Sequence, residues 1–142
     1  MRLNRSTDIT LRILMLGAVR DGLLTIDELS AALVVPRHHL AKVVQRMQHL
    51  GLLETVRGRH GGVRLASDAA DTSIGRIVRE LEGETEVVDC DGDPGCPLSQ
   101  GCTLRGALRR AQEAFYAALD PITVRDLAAP PYRQVLLGIG RR

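Results

Sequence analysis

The sequence predicts a mainly α-helical fold with one small β-hairpin, followed by a second long helix. Apolar residues recur at helical spacing in several stretches, most clearly in the series Leu40, Val43, Val44, Met47 and Leu50. The pattern changes to that of short strands at residues 52–56 and 63–66, on either side of a glycine-rich turn. The length of 142 residues suits one compact domain, or a small domain with an appended arm.

The first two helices are predicted from their apolar content and their ends. Residues 7–19 carry a dense apolar set with few helix breakers, and Gly22 is placed to cap the helix end. Thr25 and Glu28 have the spacing of a capping box, which begins a short second helix through Leu33. Residues 34–36 form the next turn, and Pro36 suits the first position of the following helix.

The third helix ends at Gly51 and is polar on the face opposite its apolar stripe. That outer face carries His38, Lys42, Gln45 and His49. Two short helices joined by a tight turn are typical of a helix-turn-helix, in which the outer face of the second helix is basic. The hairpin that follows, with the basic turn 57–62, has the position of a wing, so a winged helix-turn-helix is predicted for residues 1–83.

The rest of the chain contains a loop, a long helix and a tail. A short helix at residues 74–81 stops at Gly83, and residues 84–102 show no regular period. Residues 103–119 form a long helix in the predicted unit 103–120, and its apolar positions repeat at intervals of 4 and 3: Leu104, Leu108, Ala111, Phe115 and Ala118. This is the spacing of a coiled-coil seam, which predicts a dimerisation helix and a homodimer. The tail, 121–142, is assigned no role.

The distribution of charge favours double-stranded DNA as a partner. The net charge is only +2, but residues 37–64 contain six basic side chains against the single acid Glu54. Aromatic residues make up 2%, which suits a duplex-binding protein better than one that stacks single-stranded bases. No paired acid and base or nucleophile and base is apparent, so an enzyme is not predicted.

Eight residues are predicted to contact DNA. On the third helix, Arg37, His38 and Gln45 are expected at base edges and Lys42 at phosphate. In the wing, Arg59 and His60 are expected in the minor groove. The full set is Arg37, His38, Lys42, Gln45, Arg46, Arg57, Arg59 and His60.

The cysteines indicate a metal site. Cys90, Cys96 and Cys102 are separated by five residues each time and are interleaved with glycine and proline. Thiolates bind soft or borderline metals, and such a loop can wrap a cluster closely. An iron–sulfur cluster is favoured over structural zinc, because zinc sites prefer paired Cys-x2–4-Cys arms, and over unligated thiols. The odd number of cysteines, and the lack of a signal peptide or of a run of ~20 apolar residues, predict a cytoplasmic protein without a membrane span.

A cluster usually needs four protein ligands, so with three cysteines the fourth position is filled by an oxygen or nitrogen ligand or is left open. No histidine follows His60, which leaves carboxylates as candidates. Asp89, Asp91 and Asp93 lie in the loop, and Asp8 lies near the start of the first helix. The spacing does not decide among them, and an acid at position 8 is also favoured simply by the helix dipole.

Over essentially its full length the chain resembles the winged-helix iron–sulfur regulators that include IscR and NsrR. The resemblance rests on the wing motif Arg57-Gly58-x-x-Gly61-Gly62, the Cys-x5-Cys-x5-Cys loop and the long helix after it. IscR-like members have a histidine three residues after the last cysteine. Arg105 stands there in this chain, so the resemblance is closer to the NsrR branch.

This resemblance implies a repressor that senses nitric oxide through a [4Fe-4S] cluster, with [2Fe-2S] as a possible second form. It also implies a fourth ligand from the first helix of the partner subunit, and Asp8 is the matching residue. Nitrosylation would release the operator. The alternatives are an IscR-like sensor of iron–sulfur cluster status, a small iron–sulfur redox protein, and a DNA-bound scaffold with structural zinc. The basic helix-turn-helix and wing argue against a redox protein.

Overall fold

The computed structural model describes residues 2–83 and 85–140, and within them it confirms the mainly helical fold with one hairpin. Met1, Glu84 at the predicted start of the loop, and the last two residues of the predicted tail lie outside the described residues. The elements are α1 (Arg5–Val19), α2 (Ile26–Leu33), α3 (Arg37–His49), β1 (Leu53–Val56), β2 (Gly62–Leu65), a 3-10 turn (Ala69–Asp71), α4 (Ile74–Glu82), α5 (Thr103–Leu119), α6 (Val124–Leu127) and α7 (Tyr132–Gly138).

Capping side chains set the ends of the first helices. The Asn4 side chain accepts a hydrogen bond from the Thr7 amide at 2.9 Å, so α1 begins two residues before its predicted start. The predicted capping box of Thr25 and Glu28 is present at the start of α2. The predicted cap at Gly22 is wrong: α1 ends at Val19, and Arg20 is already extended.

The turn between α2 and α3 holds the two helices of the helix-turn-helix together. The Ser30 hydroxyl donates to the Val35 carbonyl at 2.8 Å, and the Val35 side chain is buried. Val34 just before it is 87% exposed and has a left-handed backbone, with φ 54°. Pro36 immediately precedes α3, one residue outside its predicted place.

The wing is an antiparallel hairpin in which Leu53 pairs with Leu65 and Val56 with Gly62. Leu24 and Val63 exchange two backbone hydrogen bonds of 2.8 Å, which attach the hairpin to the segment before α2. A Cβ atom at Gly61 would overlap the Val56 carbonyl oxygen, so the tight wing turn requires glycine.

One apolar core extends from α1 to α7. The predicted stripe of α3 faces it, with Leu40 and Met47 fully buried. The tail also belongs to it: α6 and α7 contact α1, and Val124 and Leu136 are buried. These two helices are only four and seven residues long, too short for the sequence to show a helical period.

Helix α5 rests on α4 at a close crossing. A Cβ atom at Gly75 would lie 2.8 Å from the Tyr116 carbonyl oxygen, so only glycine permits this approach. Arg79 of α4 covers the Tyr116 ring at 5.1 Å and forms ion pairs with Glu113 and Asp120 at 2.7 and 2.6 Å. Among the described residues, none of the helices has the length and apolar character that crossing a membrane requires.

Candidate DNA-binding surface and metal centre

The outer face of α3 presents most of the predicted DNA-contacting residues to solvent. His38, Lys42 and Gln45 are exposed. Arg37 is also exposed, and its guanidinium forms an ion pair of 2.8 Å with Asp27 of α2. Contacts from these side chains to DNA stay predictions, but their exposure on one helix face meets the first requirement for such contacts.

The head group of Arg46 is bonded to backbone carbonyl groups of α4. Its Nη2 donates to the carbonyl oxygens of Glu80 and Leu81 at 3.2 and 3.3 Å. These carbonyls lie in the last turn of α4, where backbone acceptors lack helical partners. A structural role therefore stands beside the predicted DNA contact of Arg46.

The wing residues Arg57, Arg59 and His60 are exposed at and beside the hairpin turn. Arg64, at the base of the wing, is bonded across the hairpin to Glu54, with 2.9 Å between Nε and Oε2. The hairpin thus presents three basic side chains on a short rigid support, in the arrangement that a winged helix uses beside its recognition helix.

The sequence did not single out His39, which lies at the start of α3. Its ring meets that of His38 edge-on, with 4.4 Å between centroids, and its Nδ1 is buried without a partner in the described chain. Burial lowers the pKa of His39, and the nearby cations of His38, Arg5 and Lys42 lower it further. His39 therefore tends to stay neutral.

Residues 85–102 form the cysteine loop, which has no helix or strand. Cys90, Cys96 and Cys102 are all free and half-buried. The Cys96 amide donates to the Cys90 carbonyl at 3.0 Å, and the Cys102 sulfur accepts from the Arg105 amide at the start of α5. Burial raises the pKa of the Cys90 thiol, Arg105 acts against the rise, and Cys96 and Cys102 add to it. The three thiols therefore lie in one electrostatic neighbourhood.

Arg105, at the position of the IscR histidine, ties the cysteine loop to α5. Its guanidinium donates to both carboxylate oxygens of Glu86, at 2.7 and 3.1 Å. It also donates to both oxygens of Asp91, at 3.2 and 2.5 Å. The hydrogen bonds from Arg105 lower the pKa of Glu86. A further tether runs from the Gln112 amide to the Thr85 carbonyl, at 2.8 Å.

The donor chemistry of the loop fits a thiolate-held iron–sulfur cluster. Three reduced thiols on one glycine-rich loop are the ligands that such clusters use. Within the described ranges, no three or more His, Cys, Asp or Glu side chains are grouped closely enough to hold a single metal ion. The chain thus offers three thiol donors on a loop without helix or strand. Within those ranges it has no complete site for a single metal ion.

Asp8, the predicted fourth ligand, lies in the first turn of α1. Its carboxylate forms a two-pronged ion pair with Arg12, at 3.0 and 2.8 Å, and its side chain is 47% exposed. It lines an open cavity of about 720 Å³ together with Arg2, Leu3, Asn4 and Arg5. In the described part of the chain, Asp8 does not join the three thiols in a metal-binding group.

The predicted seam of α5 is mostly exposed. Leu104 is 64% exposed and Phe115 is 36% exposed, Ala111 and Ala118 are also exposed, and Leu108 is half-buried. The buried side chain of this helix is Tyr116, which faces α4 and is not part of the seam. Four of the five seam residues are therefore exposed in the single chain.

Comparison with known proteins finds relatives that are described as regulators. Residues 3–130 match the Rrf2 family, described as iron-dependent transcriptional regulator. The transcriptional repressor NsrR of Streptomyces coelicolor is 55% identical, over 100% of this chain and 98% of the relative. The regulator NsrR of Geobacillus kaustophilus is 43% identical over 89% of each chain. The structure of CymR, the global cysteine regulator of Bacillus subtilis, superposes with a TM-score of 0.69 at 26% identity, covering 90% of this chain and 96% of that one.

Proposed function

The chain belongs to the Rrf2 family as an NsrR-type transcriptional repressor, and we propose that it senses nitric oxide through an iron–sulfur cluster. It is a DNA-binding regulator and not an enzyme. The proposed ligands are Cys90, Cys96, Cys102 and Asp8 of the partner subunit, and the proposed cofactor is a [4Fe-4S] cluster. The proposed location is the cytoplasm, where the operator DNA is found.

The observation that carries this proposal is the state of the cysteine loop. All three thiols are free and half-buried, and a loop without helix or strand carries them. Such a loop buries little apolar surface of its own, so a bound group would supply much of its order. When bound, a cluster supplies iron that nitric oxide can attack.

Charge supports a partner subunit as the source of the fourth ligand. The cavity around Asp8 is lined by Arg2 and Arg5, whereas the cysteine loop carries Asp89, Asp91 and Asp93. An acidic loop and a basic pocket attract each other across an interface. Asp8 would have to leave Arg12 to reach iron, since the same two oxygens serve both partners.

The exposed seam of α5 supports a homodimer. Its residues are spaced for helix pairing, and those of the stripe from Leu104 to Ala118 are exposed in the single chain except for the half-buried Leu108. Two chains paired along α5 would present two α3 helices to a pseudo-palindromic operator. The link from the loop of one subunit to α1 of the other then fixes the spacing of the two DNA-binding heads.

Loss of that link would release the operator. Helix α1 packs on α3, so a change at its N-terminus reaches the DNA-binding helix through the core. Without the tie at Asp8 the two heads move independently, and the operator no longer meets both at the right spacing. The cysteine loop and the DNA would thus both act on the spacing of the two DNA-binding heads, which is fixed in one state and free in the other.

The proposal is tested on the Cys96→Ala variant, with Ser99→Ala as a control in the same loop. We expect anaerobically prepared Cys96→Ala to lose the visible absorption of the cluster and to bind operator more weakly. The Ser99→Ala variant should match the unaltered protein in both measurements. Tight operator binding by Cys96→Ala would contradict the switch, and a colourless unaltered protein that contains zinc would favour the scaffold alternative.

A further inference from the structure

We propose that Arg105 influences the choice of the fourth cluster ligand by withholding two of the cysteine loop's own carboxylates, Glu86 and Asp91, from iron. This rests on the proposed function, because it concerns the completion of the same site. It assigns a ligand-selecting and positioning role to a residue that holds no metal itself.

One guanidinium engages all four oxygens of two carboxylates. Nε and Nη2 of Arg105 donate to the two oxygens of Glu86, and Nη1 and Nη2 donate to those of Asp91. The Arg105 side chain is 23% exposed, that of Glu86 24% and that of Asp91 72%, so water competes less for the Glu86 pair than for the Asp91 pair. Planar, charge-assisted pairs of this kind are among the stronger hydrogen bonds in proteins.

Asp91 is the carboxylate that would otherwise be well placed for iron. It directly follows Cys90, and hard oxygen donors beside a thiolate can complete an iron site. The Asp89 carboxylate, on the other side of Cys90, is folded over Gly92, where a Cβ atom would lie 2.7 Å from Oδ2. Binding of Asp91 to iron would therefore require the Arg105 pair to break first.

The same residue also positions two of the thiols. Glu86 and Asp91 lie on either side of Cys90 along the chain, so their bonds to Arg105 fix this part of the loop against α5. The Arg105 amide donates to the Cys102 sulfur at 3.4 Å. Cys90 and Cys102 are thus held to one residue while Glu86 and Asp91 stay occupied, so neither of these two carboxylates can take the fourth position without losing its bonds to Arg105.

Nearby Arg109 provides a matched control. It lies one turn further along α5 and is 68% exposed, and its Nε is 3.7 Å from the Glu86 carboxylate. This is an ion pair without hydrogen-bond geometry, and Arg109 has no bond to Asp91 in the described structure. Replacing Arg109 removes a similar charge without releasing Asp91.

The test asks in which variants an external thiol can bind at the fourth ligand position of the cluster. Full-length proteins are reconstituted anaerobically, and visible circular dichroism is recorded before and after addition of 2-mercaptoethanol. We expect Asp8→Ala and Asp8→Ala/Arg109→Gln to show a spectral shift on addition of the thiol. In Asp8→Ala/Arg105→Gln the shift should be lost, because Asp91 or Glu86 takes the position, and further Asp91→Asn and Glu86→Gln changes together should restore it.

A shift that persists in Asp8→Ala/Arg105→Gln would overturn the role of Arg105, as would a loss that Asp91→Asn and Glu86→Gln together do not reverse. If the spectrum of Asp8→Ala equals that of the unaltered protein, the assignment of Asp8 fails instead. Arg105 is then judged on Asp91→Asn alone: an unchanged spectrum supports the withholding of Asp91, and a changed one overturns it. In metal-free protein, faster alkylation of Cys90 in Arg105→Gln than in Arg109→Gln supports the positioning role, and equal rates contradict it.

Discussion

At the turn between α2 and α3, Val34 has a backbone conformation that β-branched residues avoid. Its φ of 54° and ψ of 46° lie in the left-handed region, and its side chain is 87% exposed. The side chain therefore gains little from packing to offset the strain. Val35, next to it, is buried in the core, so the strained turn delivers one valine inward and leaves the other in solvent.

Replacing Val34 by glycine should stabilise the protein. Removal of the left-handed strain gains roughly 1–2 kcal/mol, from which the larger freedom of glycine in the unfolded chain subtracts about 0.5–1 kcal/mol. The net rise in the free energy of unfolding is about 0.5–1 kcal/mol, measured by urea denaturation. Val34→Ala keeps a Cβ atom and should gain less; a Val34→Gly protein less stable than Val34→Ala would contradict the account.

Individual residues also show which features of the structure the sequence could and could not predict. The spacing of Cys90, Cys96 and Cys102 marked them as one loop, and the structure confirms that they share it as free thiols. The partners of Arg105 were not predictable, because they depend on the path of an irregular loop back onto α5. The half-buried His39 was missed because its position falls between the apolar stripe and the polar face of α3.

At the scale of elements, regular helices were predicted best. Helix α5 was placed at residues 103–119, as observed, because its apolar residues repeat over several turns. The short helices α6 and α7 were not recognised. The link of α3 to the last turn of α4 through Arg46 was also missed, since a basic residue on an outer helix face looks the same in sequence whether it meets DNA or a neighbouring helix.

The two basic residues Lys42 and Arg46 of α3 should therefore differ in their effects. Lys42→Gln removes an exposed charge from the DNA-facing side, and should lower the slope of operator affinity against salt by about one. Arg46→Gln removes the bonds to Glu80 and Leu81, so we expect lower stability and a smaller change in slope. Equal changes in slope, with unchanged stability for both variants, would show that Arg46 contacts phosphate.

At the scale of the whole molecule, the account requires two chains. The seam on α5 is mostly exposed in the single chain, and the proposed cluster site has three thiols and a fourth position that we assign to the partner subunit. Both gaps are filled if a second copy pairs along α5 and brings its α1 to the loop. Sequence periodicity predicted the seam, whereas the pairing itself depends on surfaces from two molecules.

A charge in the middle of the seam should separate the subunits. Ala111→Arg places two like charges opposite each other in the paired helices, so sedimentation should show the 15.5 kDa chain as a monomer. Ala117→Arg is the control, because Ala117 is exposed on the same helix and lies outside the seam. A dimer that survives Ala111→Arg as well as it survives Ala117→Arg would place the interface elsewhere.

The most direct test of the central claim is an anaerobic titration of the reconstituted protein with nitric oxide, in which cluster absorption and operator binding are followed in the same samples. We expect both to fall together, with a loss of operator affinity of roughly 5–150-fold, the usual range of coupling between two sites. Operator affinity that stays unchanged after the cluster absorption is lost would contradict the account.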